Sequence, residues 1–304
     1  MKKISTIILF LIFTGSIACA QQQYMFSQYM FNGLAINPAY AGSHEALSIT
    51  ALSRLQWLGL EGAPSTHSIA VHGPLKKDHI ALGGLIVMDK IGVTTNNTVY
   101  GSFAYKIDHS NYHISFGLQG GFSNYKTNLS DILLTNPDDQ PFLANDASSF
   151  IPNVGAGVYF YLSNLYIGAS IPQLLVGKFN KDGSHLAARQ VRHYFLTLGG
   201  VLPINHVVKW KPNVMVQLAD RSKPSIDLNS SFLFNDVIWF GVSYRVGASV
   251  DFILELQITD HLRFGYAYGV GTNDLNPTYS GSHELVLNYR ISKQSKKLHN
   301  PRHF

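Results

Sequence analysis

Six charged residues near the C-terminal end could do chemistry together: Arg245, Asp251, Glu255, Arg263, Glu284 and Arg290. Three are cations and three are anions. Each lies on the polar side of a segment that alternates polar with apolar residues, so all six belong to one face of adjoining strands. Charges gathered on a confined face are costly unless paired. The set reads as an ion-pair ladder that holds strands in register, or as a lining that contacts a substrate or a plug. No catalytic motif accompanies it. The sequence has no HExxH, no Walker loop, no GxSxG and no CxxC. Its 13 His are scattered without metal-ligand spacing. Asn136-Pro137-Asp138-Asp139 and Asn273-Asp274 could offer oxygens to Ca²⁺, but these residue types also make turns for backbone reasons, and turns are expected here. Ser184 and His185 are adjacent, an arrangement that rarely faces a nucleophile toward its base. The expectation is a protein that is not an enzyme, with no catalytic residue, cofactor or metal.

Composition narrows the class. The chain has 304 residues, of which 13% are charged and 12% aromatic, with 26 Gly. Soluble domains carry about 25% charged residues, and disordered chains carry few aromatics. Neither description fits. A single Cys excludes a disulfide framework. The net charge of +5 comes from the ends. Without Lys2, Lys3 and the tail cations Lys293, Lys296, Lys297 and Arg302, residues 4–292 sum to −1. A near-neutral body offers no nucleic-acid surface.

The ends are distinct from the body. Met1-Lys2-Lys3, the apolar run Ile4–Ile17 and Ala18-Cys19-Ala20 have the layout of a signal peptide, with cleavage expected after Ala20. The rival is lipidation at Cys19, for which Ser16-Ile17-Ala18 is a poor lead-in. Residues 21–45 form an N-terminal segment on the periplasmic side. Within it Tyr24-Met25-Phe26 is almost repeated as Tyr29-Met30-Phe31. So many apolar groups do not stay in water, and the segment reads as a partial plug or a docking segment. Residues 292–304 form a basic tail, solvated or bound to an acidic partner.

Between these ends the chain alternates with period two. Leu285, Leu287, Tyr289 and Ile291 oppose Glu284, Asn288 and Arg290. Phe252, Leu254, Leu256 and Ile258 oppose Asp251, Glu255 and Gln257. Alternation alone fits a soluble sandwich or a membrane barrel. Segments of about 9–11 residues, small residues on the polar face and aromatics near segment ends favour the barrel. The expected aromatic girdle comprises Trp57, Tyr112, Tyr125, Tyr161, Tyr194, Trp210 and Tyr289. Fourteen strands are predicted: 46–57, 66–73, 79–89, 98–108, 112–123, 153–161, 165–171, 193–202, 211–219, 225–235, 237–246, 249–259, 261–271 and 282–291. Short turns follow the even strands and longer links follow most odd ones. This gives an all-β transmembrane antiparallel β-barrel over 46–291, with short periplasmic turns and longer outer loops. The last strand should pair with the first. Asn37–Glu45 recurs as Asn276–Glu284 with seven of nine positions matched; turn chemistry feeding a strand is the first account of both copies, and a shared docking role, weakened by their expected places at opposite barrel mouths, is the alternative.

Several of these residues resemble a known family. Phe26-Ser27-Gln28-Tyr29-Met30-Phe31-Asn32 followed by Asn37–Gly42 is similar to the opening of the PorP/SprF family of Bacteroidetes outer-membrane proteins. The similarity continues through Arg54–Trp57, Gly62–Pro64, Asp89–Gly92, Arg192–Tyr194, Asn229–Asp236, Arg263–Tyr268 and Gly281–Glu284. The chain departs at Val93, where the family often has Pro. The resemblance implies a type IX secretion system component, allied to the secretion and gliding machinery, that binds the C-terminal secretion domain of an exported cargo and helps export or anchor it. It implies integral outer-membrane localisation after Sec export. The partners would be cargo, secretion-machine subunits and outer-membrane lipid, with no nucleic acid. The family has no accepted catalytic residues, so none is assigned. In this reading outward loops 124–152 and 172–192 hold the cargo. The alternatives are a small-solute porin, an outer-membrane lipase and a soluble sandwich.

Overall fold

The computed structural model describes residues 23–75, 79–128, 147–177, 190–220, 222–272 and 280–291. Its ladder segments are β1 (Leu47–Leu55), β2 (Ser65–Pro74), β3 (Ile80–Ile91), β4 (Thr94–Asp108), β5 (His113–Thr127), β6 (Ala147–Tyr161), β7 (Leu165–Ile171), β8 (His193–Gly200), β9 (Leu202–Pro203), β10 (Val208–Ala219), β11 (Ser225–Phe234), β12 (Ile238–Arg245), β13 (Ser249–Gln257), β14 (Leu262–Gly271) and β15 (Ser282–Ile291). Each pairs antiparallel with its sequence neighbour, and β8 and β9 share β10. Gly199 opposes Asn213 and Leu202 opposes Trp210 in one unbroken register. β8 and β9 are therefore a single strand. In that register the gap falls opposite Pro212, which has no amide hydrogen to give the ladder. The result is a closed barrel of fourteen strands.

Closure runs through β15 and β1, from Leu47 opposite Ile291 to Leu55 opposite His283. No strand edge is left bare in the wall, which hydrocarbon would penalise. The period-two pattern then decides inside from outside. Ile69, Leu82, Phe103, Leu118, Phe252, Leu254, Leu285 and Leu287 are exposed, while Ser48, Thr98, Ser123, Asn153, Asp251, Glu255, Glu284 and Asn288 are buried. A soluble sandwich would bury the first set and expose the second. This inversion is that of a barrel with an apolar belt against lipid.

At one end the links are short: 109–112, 162–164, 204–207, 235–237 and 258–261. We call this the turn end. The opposite end, the loop end, carries the links 56–64, 172–192 and 272–281. The exceptions there are 246–248 and Gly92-Val93. Residues 90–97, expected as a link, instead extend β3 and β4 until Ile91 opposes Thr94. Thr94, Thr95, Asn96 and Asn97 are polar enough to read as loop, yet threonine suits a strand and the ladder simply continues past the apolar belt. Gly92 supplies the positive φ, 55°, that turns the chain. β5 and β6 are longer than expected for the same reason.

The aromatic girdle needs correcting. Trp210 and Tyr289 do face outward. Tyr161 faces inward, is buried, and stacks on His113 with centroids 4.8 Å apart. Tyr125 shares strand parity with Ser123, which is buried in the lumen. The parity of each strand dictates the side, whatever the residue's distance from the strand end.

Inside the wall the largest apolar cluster is built by the N-terminal segment. Phe26, Tyr29, Phe31, Leu34, Ala35, Ile36, Ala39, Tyr40 and Ala41 pack on Leu52, Ala70, Leu85, Tyr100, Tyr159, Phe195, Met215 and Val286 of the inner face. Each fully buried Phe, Leu or Ile contributes about 1.5–3 kcal/mol. The segment runs as three short 3-10 turns, Tyr29–Phe31, Gly33–Ala35 and Pro38–Tyr40. Asn, Gly and Pro punctuate it too often for a longer helix. Asn37 caps the last turn by accepting from Ala39 N at 2.9 Å, with Pro38 at the first position.

Small wall residues make room for this backbone. A Cβ on Gly117 would lie 2.1 Å from Ala39 N, and one on Gly157 would lie 2.1 Å from Asn37 Oδ1. Gly117→Val should therefore destabilise the folded barrel by about 1–3 kcal/mol. The check is the urea midpoint of refolded protein, with Gly120→Val as the control, since a Cβ there meets nothing within 4 Å.

Candidate functional site in the barrel lumen

The lumen holds two polar clusters at different depths, with the N-terminal segment threaded between them. The first lies toward the loop end. Glu284, near the start of β15, accepts the backbone N–H of Ser27 on Oε2 and of Gln28 on Oε1, both at 2.8 Å. Arg54, near the end of β1, donates Nη1 to the same Oε2 at 2.8 Å and to Ser27 Oγ at 2.5 Å. Ser27 Oγ in turn donates to Asp251 Oδ2 at 2.8 Å. Both members of the Arg54–Glu284 pair are almost wholly buried, at 4% and 2% side-chain exposure. A buried carboxylate is costly unless it gains a counter-charge and several hydrogen bonds. Glu284 has both, and two of its donors are main-chain amides of the N-terminal segment. Charge-assisted bonds of this kind are the strong ones. Beside it Arg245 Nε donates to Asp227 Oδ1 at 2.7 Å.

The second cluster lies toward the turn end. Lys211 Nζ sits 4.4 Å above the Phe31 ring and 5.1 Å from that of Trp239, and Arg263 lies 5.4 Å from Phe31. Phe31 is thus a desolvated aromatic platform for two cations. Arg263 also donates Nε and Nη2 to Gln257 Oε1, each at 3.0 Å. Arg290 Nε donates to Asn288 Oδ1 at 2.9 Å. Glu255 is 1% exposed, and among the described residues no donor reaches either carboxylate oxygen. Arg263, Lys211 and Arg290 are its charged neighbours in the lumen.

All six charges singled out from the sequence face the lumen. They divide between the two depths, and both bridges they form use a partner from outside the six: Arg54 for Glu284 and Asp227 for Arg245. Lys211 was missed as well. Strand parity could have found all three. Thr50 and Leu52 on β1 and Asn229 and Ser231 on β11 are buried in the lumen, which puts Arg54 and Asp227 inside, and Lys211 shares parity with Asn213. Of the aromatic near-repeat, Phe26, Tyr29 and Phe31 are buried, and Tyr24, Met25 and Met30 pack against them. Asn136–Asp139, Asn273-Asp274, Ser184-His185 and Asn276–Tyr279 lie outside the described residues. Among the described residues no group of three His, Cys, Asp or Glu could hold a metal ion, and no helix is long and apolar enough to cross a membrane.

A sequence model of the type IX secretion system membrane protein PorP/SprF matches residues 18–289. The chain belongs to the PorP/SprF family. Like the sequence, the barrel is that of a secretion-associated membrane protein, and this family barrel is integral to the outer membrane. Neither family nor fold is a known enzyme class. Among solved structures it is similar in fold to the toluene transporter TodX of Pseudomonas putida, with TM-score 0.50 and 12% identity over 89% of this chain and 95% of that one. It is equally similar to the monoaromatic hydrocarbon channel CymD, with TM-score 0.50 and 11% identity over 88% and 94%. At such identities only the fold is shared. No curated protein matches the chain.

The Arg245–Asp227 bridge joins two neighbouring wall strands, β11 and β12, and offers a measurement of a luminal ion pair. Asp227→Ala should cost about 3–5 kcal/mol, because it strands a buried guanidinium. The double substitution Asp227→Leu with Arg245→Met should recover most of that loss. Urea titrations of the three refolded barrels give the comparison.

Proposed function

We propose that this PorP/SprF barrel is an anchoring and export partner for a cell-surface cargo rather than an open pore. The observation that carries the reading is the filled lumen. Residues 23–46 occupy the interior that a porin would leave to water. Between Tyr24, Phe26, Ile36, Phe195 and Met215 a cavity of only about 10 Å³ remains, about the space of one water centre. A barrel closed in this way works through its two ends.

The loop end is where we assign the cargo. The outer links 128–146, shorter than the expected 124–152 because β5 runs to Thr127 and β6 starts at Ala147, and 172–192 hold its C-terminal secretion domain. The roots of the second loop are firmly built. Asn153 Nδ2 donates to Leu175 O at 2.9 Å and to Gln190 Oε1 at 3.0 Å, and Gln190 Nε2 donates to Gln173 Oε1 at 2.6 Å. A groove of about 580 Å³ opens at the same end of the barrel between links 56–64 and 92–93, with Leu58 and Leu60 exposed on it. The turn end faces the periplasm, and with the basic tail 292–304 it meets subunits of the secretion and gliding machinery. Residues 1–20 are the signal peptide removed on export, and residues 21–45 the segment that enters the barrel.

Affinity capture of the detergent-solubilised barrel tests this reading, with bound proteins identified by mass spectrometry. One large surface protein with an immunoglobulin-like C-terminal domain, or periplasmic machine subunits, is expected. Removing 178–189 should abolish capture of the surface protein while the barrel still assembles. A barrel that captures the surface protein equally well without 178–189 overturns the loop assignment. A partner-free barrel with steady porin-scale conductance overturns the anchoring role.

A further inference from the structure

The N-terminal segment is held in two physically different ways. Residues Gly33–Ala41 are wedged on the wall from β2 to β7. Their backbone lies directly on Gly117 and Gly157, Asn37 Nδ2 donates to Val158 O at 3.0 Å, and Ser170 Oγ donates to Ile36 O at 2.8 Å. Moving this part would expose apolar surface and break bonds to the wall's own backbone. Residues Gln23–Phe31 are tied through polar groups to a second wall, β10 to β15 with β1, while Phe26, Tyr29 and Phe31 also pack in the apolar cluster. There the contacts are the Glu284 carboxylate on two amides, Ser27 Oγ on Asp251, and Arg54. Water can replace every one of those partners.

Among the described residues both walls carry buried polar atoms without a hydrogen-bond partner, Tyr100 Oη, Ser102 Oγ and Ser115 Oγ on the first, but on the second they belong mostly to charged groups: Gln217 Oε1, Asp227 Oδ2, Arg245 Nη2, Asp251 Oδ1 and both carboxylate oxygens of Glu255. They extend from the loop-end cluster down to the turn-end cluster. The segment covers them without satisfying them. A folded protein tolerates such atoms where they serve a role, and a polar strip that water could fill is such a role.

We propose that residues Gln23–Phe31 are a removable strap that closes a conduit for small hydrophilic solutes along the β10–β15 wall, with Glu284 as its latch. The apolar anchors Phe26 and Tyr29 keep the strap seated at rest. Lifting it leaves Gly33–Ala41 wedged on the far wall, so the lumen opens on one side only. The charges exposed are mixed in sign, with Lys211, Arg263 and Arg290 deeper and Asp227, Asp251 and Glu284 nearer the loop end. Such a lining suits hydrated solutes of either sign over apolar ones.

Planar-bilayer conductance of the full-length barrel tests this. The parent should be nearly silent. Glu284→Ala removes the acceptor of both strap amides, and Glu284→Gln keeps the side-chain shape while losing the charge. Each should raise mean conductance about tenfold or more, since a charge-assisted bond is worth at least that factor in a two-state equilibrium. Ser27→Cys reports the strap itself. Its thiol should react with a water-soluble maleimide about tenfold faster when combined with Glu284→Gln than when Glu284 is kept. Heat-modifiable migration on gels establishes that each barrel is folded, and Glu284→Gln carries the test if Glu284→Ala does not fold. Folded latch variants as silent as the parent, with Ser27→Cys labelling unchanged, overturn the proposal. So does a parent that already conducts at the variants' level.

Discussion

Hydrocarbon cannot hydrogen-bond a peptide group, and the rest of this structure follows from that. Every amide and carbonyl at membrane depth must find a partner within the chain. A helix can do so alone, but this sequence alternates and cannot present an apolar helix. Its only solution is a sheet with no edge, sealed by β1 against β15. Sealing fixes which face is which. The apolar face must meet lipid, and the polar face is left enclosing a space lined by groups that need partners.

That enclosed space sets a second problem, and the N-terminal segment answers it. The segment carries the aromatic and aliphatic side chains that make an apolar core inside a polar-lined wall. It also carries main-chain amides that the carboxylate of Glu284 can accept. Glycines in the wall decide where it lies close, because Gly117 and Gly157 let backbone approach backbone. Where the wall has charges instead, contact is through side chains and is incomplete. The asymmetry between a wedge packed on glycines and a strap tied through charges is thus a consequence of which strands carry glycine and which carry Asp, Glu and Arg.

Much of this was legible in the sequence, and what was not has physical causes. Alternation plus strand length was enough for fourteen strands and for the pairing of the last with the first, because period two is a direct image of the pleat. The polar ends of β3 to β6 were not legible, since above the membrane a ladder needs no apolar face and Thr94–Asn97 look like loop. The six luminal charges were visible by parity. Their pairing was not, because Arg54 lies some 230 residues from Glu284, and only closure brings β1 beside β15. The girdle error came from weighing nearness to a strand end above parity at Tyr125 and Tyr161. The contact of Ser27 and Gln28 with Glu284 left no periodic trace, since a 3-10 segment threaded through a lumen follows neither strand nor helix spacing.

The luminal segment and the long outer loop are not independent. Gln119 Nε2 donates to Pro172 O at 2.9 Å, and Ser170, two residues before, holds Ile36 O. Asn153 ties Leu175 and Gln190 to the inner face of β6. One side of the loop root therefore rests on β5 to β7, part of the wall that seats the wedge. A grip on residues 172–192 loads Gln173 and Gln190 first, then Asn153, and then the wall against which Asn37 and Ala39 lie. That wall is closely packed, and closely packed contacts transmit displacement rather than absorb it. The strap is on the other wall, tied by bonds that water can replace. Force entering at the loop thus meets a stiff seat on one side of the lumen and a yielding one on the other.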